Sequence, residues 1–134
     1  MKRSIITLVE SSASTPTVRI ISDASSEIWM SKPEIARLLM VYQNTISNNL
    51  RAIFKAGILN EKDVIREHRY KKQNVERTTV YYNLEVIISL CYRIRSLQTS
   101  IIRKYIQAQF SRKDDGNKAD IKGLFNNLSS FCLN

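Results

Sequence analysis

The sequence predicts an α+β fold in which helices predominate. Segments rich in β-branched and aromatic residues alternate with segments whose apolar residues recur at helical spacing. The chain has 134 residues, of which 43% are hydrophobic, which suits one compact domain with a folded core. We expect an N-terminal arm or pair of strands at residues 1–26, the main domain at residues 27–111, and a charged linker with a tail helix at residues 112–134.

The balance of charge favours a polyanionic partner. The formal net charge is +9, and the isoelectric point is about 9.8. Such an excess on a small chain indicates nucleic acid first and an anionic membrane surface second. The alternative is that the charge serves solubility alone, but its uneven placement along the sequence argues against this.

Membrane and cofactor partners are not expected. No stretch approaches the apolar length that spans a bilayer, and the first residues lack the pattern of a signal peptide. Because nothing indicates secretion, we expect a cytoplasmic protein with two reduced thiols, Cys91 and Cys132. One histidine and two scattered cysteines do not have the spacing of a metal site.

The N-terminal region carries two short segments rich in β-branched residues. Ile5–Val9 and residues 17–22 are predicted as two strands, or as a loose arm followed by one strand. Residues 23–26 (DASS) form a predicted turn. Residues 27–30 (EIWM) are then expected to return as the second strand of an N-terminal β-hairpin.

Two closely spaced helices follow this region. Ser31 is placed to cap the first helix, and Glu34 completes a capping box three residues later. That helix is predicted to end near Leu39, and a second helix to run from about residue 44 to residue 55, with Gly57 as its stop. Helices joined by so few residues cross at a steep angle, as in a helix-turn-helix, whose second helix enters the DNA major groove.

The second helix has an apolar stripe and an opposite polar face. The apolar stripe consists of Ile46, Leu50, Ile53 and Phe54. The polar face carries amide, hydroxyl and basic side chains at spacings of three, four, seven and eleven: Asn44, Ser47, Asn48, Arg51 and Lys55. Solvated helix faces usually mix Glu with Lys, whereas no acidic residue occurs here between Glu34 and Glu61.

These residue types suit the reading of DNA bases. Asparagine pairs bidentately with adenine, arginine pairs with guanine, and serine bonds to a base or a phosphate. Gln43 and Thr45, at the start of the helix, are expected to meet a phosphate with the aid of the helix dipole. The alternative interpretation is a polar surface helix in a small bundle.

Two positions depart from the usual pattern of this motif. Met40 stands in the turn, where glycine is common because one turn residue needs a positive φ. Asn49 falls where a second apolar residue often lies, so Leu50 and Ile53 are expected to provide the packing there.

A basic hairpin is predicted next. Residues 64–70 and 78–82, rich in β-branched and aromatic side chains, flank a polar tip at residues 71–74. The tip and its flanks carry four cations that we expect to bind phosphate: Arg69, Lys71, Lys72 and Arg77. A hairpin that follows a recognition helix is typical of a winged helix-turn-helix, in which the wing reaches adjacent phosphates or a minor groove. The alternative is an ordinary solvated loop.

Helices complete the chain. Asn83 is predicted to cap a helix, and a break near residues 95–96 precedes another. A third basic cluster on these helices fixes the docking register through phosphates, or forms their solvated faces: Arg93, Arg95, Arg103 and Lys104. The tail helix at residues 121–132 has an apolar stripe and is a candidate element for a homodimer.

Two segments of the sequence resemble a known family. IWMSKPEIARLLMVYQNTISNNLRAIFKAGIL, followed by TTVYYNLEVIISLCYRIRS, resembles the RhuM-like (virulence protein RhuM) family in its short form associated with mobile elements. The later helices also resemble the N-terminal domain of Bro-type phage antirepressors. The resemblance implies a DNA-binding domain, encoded on a bacterial mobile element or pathogenicity island, whose recognition helix corresponds to residues 43–55.

These observations lead to one expected function and one alternative. We expect a sequence-specific protein that binds double-stranded DNA, acts as a transcriptional regulator, associates with the bacterial nucleoid and forms a homodimer. The alternative is an antirepressor-type interaction module that binds another regulator. An enzyme is not expected, because the sequence offers tyrosines and one histidine but no carboxylate cluster or nucleophile–base set.

Overall fold

The computed structural model describes residues 3–9, 16–21 and 27–111, with side chains up to residue 109. The predicted turn at residues 23–26, the charged linker and the tail helix at residues 121–132 lie outside these residues. In chain order the elements are β1 (Ile5–Val9), β2 (Thr17–Ile21), β3 (Trp29–Ser31), α1 (Lys32–Leu39), α2 (Gln43–Lys55), α3 (Glu61–Val64), β4 (Ile65–Lys72), β5 (Val75–Asn83), α4 (Leu84–Arg93) and α5 (Leu97–Ser111). The predicted α+β class is confirmed.

The strands form two antiparallel sheets. β1 pairs with β2 in a two-stranded sheet, so the N-terminal segments are two strands and not a loose arm. The second sheet has the order β3-β5-β4 and contains the predicted basic hairpin.

The prediction that residues 27–30 form a hairpin with residues 17–22 is wrong. Trp29 pairs with Asn83 of β5, and Met30 pairs with Tyr82. Trp29, Met30 and Ser31 are all buried, so this short strand needs cover on both faces. Pairing with β5 places β3 beside the core of the domain, whereas the β2 strand is largely exposed.

The core lies between the helices and one face of the three-stranded sheet. All five helices and strands β1, β3 and β5 contribute buried apolar side chains, among them Ile6, Met30, Ile35, Leu39, Ile46, Ile53, Val64, Tyr82, Ile87, Leu90, Ile102 and Ile106. Each fully buried side chain of this size stabilises the fold by about 1.5–3 kcal/mol. None of the helices in the described ranges is both long and apolar enough to cross a bilayer.

The predicted capping box fixes the start of α1. The Ser31 hydroxyl accepts a hydrogen bond from the Glu34 backbone, and the Glu34 carboxylate accepts one of 2.9 Å from the Ser31 backbone N–H. Arg3 also donates to this carboxylate at 2.7 Å. Burial raises the pKa of Glu34, but these hydrogen bonds and the Arg3 charge outweigh it, so the pKa of Glu34 lies below its usual value.

The short helix α3 was not predicted. Asn60 caps it by accepting a hydrogen bond of 3.2 Å from the Lys62 backbone N–H. With four residues it is too short to show a helical repeat of apolar side chains. It carries Val64 into the core at the point where the chain enters β4.

The basic hairpin closes through a two-residue turn. Gln73 and Asn74 have φ values of 53° and 62°, the conformation of a type I′ turn, whose twist matches that of the flanking strands. The pairing runs without a bulge from Ile65 opposite Tyr82 to Lys72 opposite Val75. This continuous register assigns every hairpin side chain to one of two faces.

Candidate nucleic-acid interface

The turn between α1 and α2 comprises three residues, Met40, Val41 and Tyr42. Met40 takes the left-handed conformation, with φ 55° and ψ 48°. Its N–H donates to the Arg37 carbonyl at 3.3 Å, and the Val41 N–H donates to the Ala36 carbonyl at 3.1 Å. These two bonds form a Schellman motif, so Met40 occupies the position usually held by glycine. The chain therefore turns sharply into α2 without a glycine.

A second contact holds this turn against the start of α5. The Ser96 hydroxyl, which precedes α5, donates a hydrogen bond of 3.0 Å to the Leu39 carbonyl. Ser96 and Thr99 also cap the start of α5 reciprocally, with backbone-to-hydroxyl distances of 2.9 and 3.1 Å. The last carbonyl of α1 is therefore tied to a rigid helix start, which restrains the turn.

The apolar stripe of α2 is buried, and its polar face meets solvent. Ile46, Leu50 and Ile53 have relative exposures of 4% or less, while Phe54 is partly buried against the same core. Five of the seven predicted contact residues are exposed: Gln43, Asn44, Asn48, Arg51 and Lys55. The other two, Thr45 and Ser47, are partly buried. The Arg51 guanidinium donates to the Asn48 side-chain oxygen at 3.3 Å, so these two side chains lie together on the exposed face.

Asn49 has a polar role in place of the packing role usual at this position. Its side-chain N–H donates to the Thr45 carbonyl at 2.8 Å. Its side-chain oxygen accepts a hydrogen bond of 3.3 Å from Nε of Arg93, an exposed residue in the last turn of α4. This contact brings one cation of the third basic cluster to the edge of α2 and leaves its terminal nitrogens available to a ligand.

The other three cations of the third basic cluster do not form one surface. Arg103 is partly buried, and its Nη1 donates to the Cys91 carbonyl at 2.6 Å and to the Thr99 hydroxyl at 3.1 Å. It therefore satisfies the carboxyl end of α4 and ties that helix to α5. Arg95 and Lys104 are exposed, and neither forms an ion pair within the described ranges.

The hairpin register separates the four predicted phosphate-binding cations into two faces. Arg69 and Lys71 share one face with Glu67 and Glu76, so that face is mixed in charge. Lys72 and Arg77 lie on the opposite face, which carries no acidic residue between residues 66 and 81. All four cations are exposed, but no hydrogen bond or ion pair joins the hairpin to α2 among the described residues.

Several residues beside these sites are not predicted from the sequence. Tyr42, at the N-terminal end of α2, is 85% exposed and makes no side-chain capping hydrogen bond. Arg66, His68 and Tyr70 share the acid-free face of the hairpin. In the sequence this face is visible only as aromatic and basic residues at alternate positions. That pattern can be assigned to one face only when the pairing register of the strands is known.

Reactive and metal-binding groups do not gather in the described part of the chain. It contains no group of three His, Cys, Asp or Glu residues that could hold a metal ion. Cys91 is fully buried in α4 with a free thiol, and burial raises its pKa to about 12 despite the nearby Arg103 charge. A thiol in this state is protonated and unreactive near neutral pH.

Comparison with known proteins adds no relative to this picture. No protein-family model, no curated protein and no solved structure matches the chain.

Proposed function

We propose that this chain is a sequence-specific DNA-binding protein in which α2 enters the major groove. The observation that carries this proposal is the exposed, acid-free face of α2, held over a buried stripe directly after a tight left-handed turn. Asn48 and Arg51 lie together on it and offer an amide and a guanidinium to base edges. The face contains no carboxylate that phosphate would repel.

The arrangement around α2 supports a winged helix-turn-helix. A short strand, two helices and a hairpin follow one another as β3, α1, α2, β4 and β5, and the short strand pairs with the second strand of the hairpin. The α1–α2 pair is the helix-turn-helix, and the β4–β5 hairpin is the wing. Its cations then bind phosphates beside the site that α2 reads.

The wider setting of the proposal comes from the sequence. The resemblance to RhuM-like proteins favours a transcriptional regulator from a bacterial mobile element, with a virulence association and a place in the cytoplasm at the nucleoid. A homodimer through residues 121–132 would double the number of base contacts and give the target site a two-fold or direct repeat.

Selection of binding sites from a random pool of duplex DNA tests the proposal. The pool is selected at physiological salt with the natural chain and with Asn48→Ala/Arg51→Ala. We expect a short enriched motif that the double variant loses. A Lys104→Ala variant, which removes an exposed cation from α5, is the control and should select the same motif. No enrichment, together with weak binding that disappears as salt rises, would contradict base reading by α2.

Two single variants separate base contacts from phosphate contacts. Arg51→Ala should cost about 1–3 kcal/mol on the selected site and relax base preference at one position. Lys72→Ala, in the hairpin, should weaken binding to all duplexes alike and reduce the salt slope by about one. Equal effects of both variants on every duplex would contradict the assignment of Arg51 to a base.

An exposed apolar edge favours the antirepressor-type interaction module as a second candidate. Met40, Tyr42 and Leu97 are 70%, 85% and 69% exposed, and the Ser96–Leu39 hydrogen bond brings the start of α5 to the turn. Exposed apolar side chains grouped in this way are typical of protein contacts. The site selection separates the candidates, because an interaction module selects no DNA motif.

A further inference from the structure

The acid-free face of the hairpin combines cations with aromatic rings. Alternate residues of β4 and β5 point to it, and the continuous register identifies them as Arg66, His68, Tyr70, Lys72, Val75, Arg77, Thr79 and Tyr81. Each of these residues is cationic, aromatic or uncharged, and none is acidic. We name this set the aromatic–basic face.

Stacking contacts already order part of this face. The Arg66 guanidinium carbon lies 4.3 Å from the centre of the Trp29 ring, and the Arg3 guanidinium carbon lies 4.6 Å from that of Tyr81. The rings of His68 and Tyr70 lie 5.9 Å apart at an angle of 17°, which is a stacked arrangement. A row of π surfaces and guanidinium groups therefore runs from the base of the sheet toward the hairpin tip.

Two carboxylates beside the base of this face are engaged with other groups. Glu34 forms its ion pair with Arg3, and Glu27 accepts a hydrogen bond of 3.2 Å from the Trp29 indole N–H. Further along, Lys72 and Arg77 are exposed and form no ion pair among the described residues. The face is thus left with a positive charge and complements a polyanion.

We propose that the aromatic–basic face binds single-stranded DNA. Unpaired bases would stack on the His68 and Tyr70 rings, while Lys72 and Arg77 neutralise the phosphates between them. Tyr70 is 38% exposed, which leaves ring surface for a base. Duplex DNA hides its base faces inside the stack, so only an opened or single strand can use these rings. This proposal does not depend on base reading by α2, since the residues lie on a separate element.

Binding of a labelled oligothymidylate of about 15 nucleotides, followed by fluorescence anisotropy, tests the proposal. His68→Ala/Tyr70→Ala should weaken this binding about tenfold or more, because each base–ring stack contributes about 1–3 kcal/mol. Tyr70→Phe keeps the ring and should bind as the natural chain does. Thr78→Ala, at an exposed position on the opposite face of the hairpin, is the control and should bind as the natural chain does.

Two further ligands separate stacking from charge alone. A phosphodiester strand of equal length without bases should bind about tenfold more weakly than oligothymidylate, since it offers nothing to stack. Equal binding of the two, or natural affinity in His68→Ala/Tyr70→Ala, would overturn the proposal. An oligouridylate that binds tenfold more tightly than oligothymidylate would overturn the assignment to DNA in favour of RNA.

The outcome is distinguishable from that of the duplex selection. If α2 reads no bases but the aromatic–basic face binds single strands, Asn48→Ala/Arg51→Ala changes nothing in the oligothymidylate titration. If α2 reads bases but the aromatic–basic face does not bind single strands, His68→Ala/Tyr70→Ala still selects the duplex motif. The natural chain then does not bind the oligothymidylate. Circular dichroism of His68→Ala/Tyr70→Ala, with the natural chain as reference, shows whether its loss of binding reflects the fold.

Discussion

Met40 and Gly57 occupy the same position in the same helix-terminating motif. Each follows its helix with a positive φ, 55° at Met40 and 73° at Gly57. Each donates its N–H to a carbonyl three residues back, and the next residue donates to a carbonyl five residues back. The two helices of the candidate helix-turn-helix therefore end alike, one with the residue suited to this conformation and one without it.

Met40→Gly should stabilise the protein. A side chain in the left-handed region costs about 1–2 kcal/mol, and the extra freedom of glycine in the unfolded chain offsets about 0.5–1 kcal/mol of that. Because Met40 is 70% exposed, the substitution removes little packing. We expect a gain of about 0.5–1 kcal/mol in the free energy of unfolding, measured by urea denaturation.

Gly57→Ala is the matched variant for this measurement. A Cβ at Gly57 meets no other atom within 4 Å, so the loss of about 1 kcal/mol that we expect is purely conformational. If Met40→Gly destabilised the protein instead, the Met40 side chain would have a packing role that its exposure does not reveal.

Asn49 should act on DNA only through Arg93. Arg93→Ala removes a cation and is expected to weaken binding to every duplex by about 1.5 kcal/mol, or about tenfold, and to lower the salt slope by about one. Asn49→Ala frees the guanidinium from its 3.3 Å hydrogen bond and should cost less. The double variant should match Arg93→Ala alone, a non-additivity that a double-mutant cycle measures.

The control for this cycle is Arg95→Ala, which removes an exposed cation that has no hydrogen bond to α2. An additive double variant would mean that Asn49 contacts DNA directly. Thermal unfolding of all four chains shows whether a change in binding reflects the fold, because Asn49 is partly buried and donates a hydrogen bond of 2.8 Å to the Thr45 carbonyl.

Features that depend on a few neighbouring residues were predictable from the sequence. Ser31 and Glu34 form the predicted capping box, Asn83 caps α4 through a 3.3 Å hydrogen bond from the Val86 N–H, and Gly57 ends α2. In each case the residue type and its spacing specify the local hydrogen bonds, whatever surrounds them.

Features that depend on distant partners were not predictable. The partner of Trp29 in the sheet lies far along the chain, so the sequence predicts the wrong partner strand for residues 27–30. Arg103 resembles a surface cation in the sequence but completes the end of another helix. The assignment of side chains to the two hairpin faces depends on the exact position of the turn at Gln73 and Asn74. A shift of one residue would exchange every side chain between the faces.

Cys91 should be protected from thiol reagents in the native protein. Its side chain is fully buried, and with a pKa of about 12 only about one thiol in ten thousand is ionised at pH 8. In a Cys132→Ser variant, which leaves this thiol alone, we expect no reaction with a disulfide reagent until urea unfolds the chain. A reaction in native buffer at the rate of a free thiol would contradict the buried position of this side of α4.

The Glu34 carboxylate should make the fold sensitive to acid. Its pKa is lower in the folded protein than the usual value of 4.5, so its ionised form stabilises the native state. That contribution is fully present above the unfolded pKa and is lost as pH falls through the lower folded pKa. Glu34→Gln should cost about 1 kcal/mol at neutral pH, which is typical of a lost helix cap.

Urea denaturation at several values between about pH 3 and 7 measures this effect. The free energies of unfolding of the natural chain and of Glu34→Gln should converge as the solution becomes acidic, because protonated glutamic acid and glutamine then bond alike. Glu67→Gln, which removes an exposed carboxylate from β4, should have nearly the same free energy of unfolding as the natural chain at every pH. If the difference in free energy of unfolding between Glu34→Gln and the natural chain stayed constant with pH, the amide would disturb the start of α1 by its shape. The ion pair between Glu34 and Arg3 would then contribute little.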